Sequence, residues 1–128
     1  MINSIDDIKT LWNPEDLGLS DEAGDSGVSP YEAFLTKTCA RADRRIAKIV
    51  SAEVMSSGCD EVKQAEIEFV NVFVLEHLWH MKASGSEKTI KMPGGFEVQL
   101  QEFKSDEYER LVSAHIYNAE RELGYISE

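Results

Sequence analysis

Cysteine is scarce: Cys39 and Cys59 are the only two, too few for a disulfide framework or a zinc knuckle, so a reducing compartment is expected. Long apolar runs are missing too, and nothing approaches the ~20 residues that a membrane-crossing helix needs. The opening Met1-Ile2-Asn3-Ser4-Ile5-Asp6-Asp7 lacks the basic-then-apolar layout of a signal peptide, so synthesis in the cytoplasm is expected. Basic residues are few, with 13 Lys+Arg against 24 Asp+Glu and a formal net charge of −11. Such a balance disfavours a dedicated nucleic-acid binder, which carries a basic excess.

Chemical motifs are equally thin. No serine sits in a nucleophile-elbow context, and Gly94-Gly95 follows Pro93 without the helix start that a phosphate loop needs. His77 and His80 stand three apart with no clear third ligand, and they read as structural histidines, as does His115. Cys39 reads as a small core residue. Helical pyrophosphohydrolases hold magnesium with pairs of acids three apart. Here Glu66/Glu68, Glu107/Glu109 and Glu120/Glu122 are two apart, and within the predicted helices only Asp106 and Glu109 keep the required spacing. No catalytic residue, cofactor or metal ligand is therefore expected, and the chain is read as not an enzyme.

What is present is helical patterning over 128 residues, 42% of them apolar, enough for one domain with one core. Residues 1–28 read as a short N-terminal helix, capped by Ser4, and then an exposed acidic loop with a net charge of −6. Residues 29–83 form the helical core. Ser29-Pro30-Tyr31-Glu32 is a capping box with proline at the first helical position, and it predicts a helix from Pro30 to about Ser56, stopped by Gly58. At about 100° per residue, Tyr31, Phe34, Leu35, Cys39, Ala42, Ile46, Ile49 and Val50 share one face. Lys37, Arg41, Arg44, Arg45 and Lys48 fall nearly opposite, a basic stripe in the one segment with net positive charge.

Asp60 is expected to cap a second long helix, Glu61 to about Ala83. Between Phe69 and Met81 its apolar residues point in nearly every direction, the mark of a helix buried all round. One small domain has little to cover it with, so a neighbouring subunit is expected on one side. Residues 86–103 read as a β-hairpin turning at Pro93-Gly94-Gly95, with Phe96, Val98 and Leu100 on its half-buried face. Residues 105–128 read as a C-terminal helix, with Tyr108, Leu111, Val112, Ile116 and Ala119 inward, and a tail after Gly124. The tail's Tyr125 and Ile126 are expected to anchor on a partner, the other possibility being that it folds back on its own helix. The expected fold is thus mainly α: a small helical bundle of two long helices, a C-terminal helix and a short N-terminal helix, with one β-hairpin.

Two stretches carry a resemblance. Ala42-Asp43-Arg44-Arg45-Ile46-Ala47-Lys48-Ile49, followed by Asp60-Glu61-Val62-Lys63-Gln64-Ala65-Glu66, resembles the head–tail connector (adaptor) proteins of long-tailed bacteriophages and related prophages. In those, a helix of the type A-D-x-x-I precedes a short break and a helix beginning D-x-V-K-x-A. The likeness covers about residues 29–84, and the remainder agrees by arrangement. It implies a structural protein in the neck of a virion, made in the host cytoplasm. There it would form a ring with copies of itself, expected to be a dodecamer, between the portal protein and a downstream neck or tail protein. DNA would pass through the ring without specific binding, past acidic walls that repel its phosphates. Lys37, Arg41, Arg44, Arg45 and Lys48 would face an acidic neighbour or the portal, and Tyr125 and Ile126 would reach the portal. The alternative is a small helical regulatory or binding protein, antitoxin-like or terminase-associated. That would need a recognition helix, and Arg44-Arg45 sits mid-helix rather than at a helix start.

Overall fold

The computed structural model describes residues 1–124, so Tyr125 and Ile126 lie outside the described residues. In chain order the elements are α1 (Ile5–Lys9), α2 (Pro30–Ala47), α3 (Ala52–Ser56), α4 (Asp60–Ala83), β1 (Thr89–Lys91), β2 (Glu97–Gln99), a 3-10 turn (Leu100–Glu102) and α5 (Ser105–Gly124). The fold is mainly helical, with one two-stranded antiparallel hairpin. One hydrophobic cluster draws side chains from Ile8 through Leu123.

Local chemistry accounts for most boundaries. Ser4 accepts from the Asp7 backbone N–H at 3.2 Å and starts α1. Ser29 does the same for Glu32 at 3.1 Å, with Pro30 opening α2. Glu32 does not reach back to complete the capping box, because its carboxylate holds the Lys9 ammonium of α1.

The helix predicted from Pro30 to Ser56 is two helices. α2 tightens at its end, where the Ile49 and Val50 N–H groups both return to the Ile46 carbonyl, at 2.9 and 3.0 Å. Ser51 then caps α3 by accepting from Val54 N–H at 3.2 Å. A serine able to offer the backbone a cap competes with helix continuation, and here it wins. The turn buries Val50 but leaves Ile49 exposed, so Ile49 is not on the core face. Gly58 does end the segment, at φ +66°, where a β-carbon would be strained. The cap position of α4 is Cys59, without a side-chain bond. Asp60 is instead in the first turn with Glu61, where the helix dipole favours carboxylates.

α4 is the axis of the molecule and is buried nearly all round, from Val62 to Leu78. The expectation that a second subunit must cover it is overturned, because its own chain does so. α2 packs along one side and α5 along another, with the 3-10 turn meeting α4 beside α5, where Phe103 and Tyr108 both lie against Trp79. The segment 1–19 closes the remainder with Ile8, Trp12 and Leu17, all essentially inaccessible. The Trp12 indole N–H donates to Asn71 Oδ1 of α4 at 3.0 Å. The His77 ring bonds the Leu17 carbonyl at 2.9 Å. Tyr31 of α2 ties the same segment down by donating to the Trp12 carbonyl at 2.5 Å.

The hairpin pairs Ile90 with Val98, and Met92 N–H donates to the Phe96 carbonyl at 2.8 Å across the turn. Gly94 and Gly95 take φ of +100° and +90°, which only glycine adopts without cost. Ile90, Met92 and Leu100 are its buried side chains. Phe96 is 46% exposed, contrary to the alternation, because it sits at the tip with its ring against Gly94 rather than the core.

Candidate functional site: the arginine flank of α2

The five basic residues singled out from the sequence do not lie opposite the core face as a single stripe. Arg41 and Arg45 turn down the flank of α2 onto α4. The Arg41 guanidinium lies 4.0 Å from the Phe73 ring centroid and 3.6 Å from Glu76 Oε1. Arg45 stands 5.2 Å over the Phe69 ring. Both phenylalanines are buried under this cover, Phe69 completely and Phe73 to 8% exposure. Long cationic side chains can cover apolar surface with their stems and stack on ring faces with their heads. Here they close the last open side of α4.

Arg44 and Lys48 are exposed and make no ion pair among the described residues. Together with Arg41, Arg45 and Phe73 they line a shallow cavity of about 200 Å³. Lys37, a turn earlier, is exposed and outside this cavity. Four of the five cations are therefore brought together, two of them anchored on aromatic rings and two free. Such a constellation suits a carboxylate or phosphate presented by a partner. Each exposed ion pair alone contributes about 0–1 kcal/mol, so attraction has to come from several at once.

A second polar cluster was not visible from spacing. Glu66 of α4 is completely buried, and its carboxyl accepts from Ile2 N–H (2.9 Å), Asn3 N–H (2.7 Å) and the Asn3 side-chain amide (2.9 Å). Asp43 of α2 meets the amino group of Met1 at 3.2 Å through Oδ2, while its buried Oδ1 has no partner among the described residues. Burial pushes the Glu66 carboxyl up to about 7, and the hydrogen bond with Asp43 adds to that against the pull of the Ile2 and Asn3 donors. A proton on Glu66 lets its carboxyl donate to the neighbouring Asp43 carboxyl. The cluster straps residues 1–3 onto α2 and α4. Its sequence signal was there: Glu66 lies four after Val62 and three before Phe69, on an apolar face of the helix.

The remaining candidates have structural settings. Cys39 is buried, and burial pushes its thiol up to about 12, away from reactivity. His77 lies against the Phe34 ring at 4.6 Å, His80 is exposed, and His115 of α5 meets Glu68 of α4 at 2.5 Å. No group of three or more metal-ligating side chains gathers among the described residues. No helix among them is long and apolar enough to cross a membrane.

The class these features define is a small helical bundle around one central helix, with a cationic flank. In comparisons with known proteins, no family model, no curated protein and no solved structure matches the chain.

Proposed function

We propose that the protein is a structural head–tail connector of a long-tailed bacteriophage. In this reading it is a ring-forming adaptor that docks on the portal and carries the DNA channel towards the tail. The observation that carries the reading is the cationic cavity of Arg41, Arg44, Arg45 and Lys48 on a chain whose net charge is −11. A compact patch of the minority sign steers an acidic partner into register more than it adds raw affinity. The local resemblance over residues 29–84 includes Arg44, Arg45 and Lys48 and so supports the same surface. Because α4 is covered by its own chain, ring contacts fall to charged surfaces rather than to an apolar face. The acidic remainder suits a channel wall past which DNA slides.

The test is native mass measurement of the chain with and without a purified portal ring, for wild type and for Arg44→Glu/Lys48→Glu. These two side chains cover no aromatic ring, so the variant should keep its fold. Salt-sensitive attachment of wild type, lost or slowed at least tenfold in the variant, is the expected result. Equal attachment of both proteins across a salt series removes the flank from the contact, and no attachment by either removes the neck reading.

A further inference from the structure

α5 turns one face to α4 and leaves the other open. Inward are the half-buried Tyr108, Leu111, Val112 and Ile116, and the buried Ala119 and Leu123. Outward are Asp106, Arg110, Ser113, Ala114, Tyr117 and Arg121, all exposed. Tyr117, at 64%, is the most exposed large apolar side chain among the described residues. Beside it lies a groove of about 540 Å³, lined by Ser113, Ile116, Tyr117, Glu120 and Arg121. The Arg121 guanidinium of the same chain lies 5.9 Å from the Tyr117 ring centroid, and tyrosine and arginine are both enriched at the energetic centres of interfaces.

The outer residues also carry a pattern. Asp106, Arg110, Ala114, Tyr117 and Arg121 recur at steps of four and three residues, the spacing of one helix face. This face is mostly polar, so hydrophobic burial cannot specify its partner; charge has to. About the midpoint between Ser113 and Ala114, Arg110 and Tyr117 lie at equal distances on either side, and so do Asp106 and Arg121. An antiparallel copy of the same helix crossing at that point therefore meets it with complementary groups. Arg110 comes level with Tyr117 of the other copy, beside the Arg121 that already faces that ring, and Asp106 comes level with the same Arg121. Each of these contacts occurs twice. Ser113 and Ala114 at the crossing are small enough for axes at the close end of the usual ~8–10 Å range. Glu107 adds to the charge facing Arg121, while Glu109 approaches Glu120 of the other copy on the flank left open to solvent.

We propose that the outer face of α5 is a self-association surface, on which a second copy of this chain docks antiparallel with Ser113 and Ala114 at the crossing. The occupant is a second copy because the face complements its own reversal. One helix face about 30 Å long is less than a standard interface, so the pair is weak, with a dissociation constant on the order of 100 µM. A two-fold contact closes after two chains. It is separate from any ring built through the arginine flank, since α2 and α5 pack on different sides of α4: Phe69, Phe73 and Glu76 serve α2, while Glu68 and Trp79 serve α5.

Sedimentation equilibrium of the full chain near physiological salt tests this. Wild type is expected to dimerise. Tyr117→Ala should weaken the pair at least tenfold, and Asp106→Arg and Arg121→Asp about tenfold each. The double swap Asp106→Arg/Arg121→Asp in one chain should restore it. Fifteen residues separate these two positions, about 22 Å along the helix, so they cannot rescue one another within a chain. Urea unfolding midpoints confirm that the variants remain folded, as expected for exposed positions. Arg44→Glu/Lys48→Glu should leave the pairing unchanged, which separates it from the neck reading. A wild type monomeric to 1 mM, a dimer indifferent to Tyr117→Ala, a double swap without rescue, or a pairing lost with the arginine-flank variant each overturns the proposal.

Discussion

At the scale of single residues, the structure is decided by a few groups doing what their type seldom does. Arg41 and Arg45 act as lids on Phe73 and Phe69, so their loss would be felt as packing as well as charge. Glu66 is a carboxyl held where the charged form is disfavoured. Its folded value, about 7, stands above the ordinary 4.5, so between those values the folded chain binds a proton that the unfolded chain does not. The stabilising contribution is therefore complete below about pH 4.5 and is lost as pH rises through about 7. Glu66→Gln keeps the shape and offers Asp43 a permanent donor. Denaturant unfolding from pH 4.5 to 8 should show wild-type stability declining relative to this variant, and a flat difference between the two would contradict the assignment. The contact between the Met1 amino group and Asp43 belongs to both proteins and cancels in that comparison.

At the scale of elements, helix ends carry the local information. Ser29 is buried, receives the Glu32 N–H, and donates to Asp21 Oδ1 at 3.0 Å. It thereby joins the start of α2 to the acidic loop. Ser29→Ala should cost about 1–2 kcal/mol, read as a lower urea midpoint with an unchanged slope. A change in slope would mean that the loop had been released more widely. The α2–α3 break shows the limit of pattern reading at this scale. Apolar periodicity runs smoothly past Ile46, and only the competition between Ser51 as a cap and the continuing helix decides where α2 stops. The hairpin was legible from Pro93-Gly94-Gly95 and its flanks. The exposure of Phe96 was not, because alternation assigns a face but says nothing of how far the core extends beneath it.

At the scale of the whole molecule, the question is how one small chain covers a helix that is apolar all round. α2, α5, the 3-10 turn and residues 1–19 share the task, and the two arginines finish it. The N-terminal segment is thus a structural wall rather than an acidic appendage. Trp12→Ala should cost about 3–5 kcal/mol and leave the chain prone to aggregate as the Asn71 side of α4 opens, measured by thermal unfolding with light scattering. A cost within the range of surface substitutions, about 0.5 kcal/mol, would show that the wall is dispensable.

Residue patterning by itself determined the helical class, the capped starts of α1 and α2, the Gly58 stop, the extent of α4, the hairpin turn and the inward face of α5. Each of these depends on neighbours within a turn or two, and local rules reach that far. Tertiary structure decided the rest. That Trp12 and Leu17 lie on α4, that Glu66 meets residues 2 and 3, and that Arg41 and Arg45 cover phenylalanines about 24 to 32 positions on all depend on chain segments meeting across the fold. The cationic residues were legible as a group, but their division into two anchored and two free was not. Spacing places a side chain on a helix face, while the neighbouring helix determines whether that face meets water, a ring or a carboxylate.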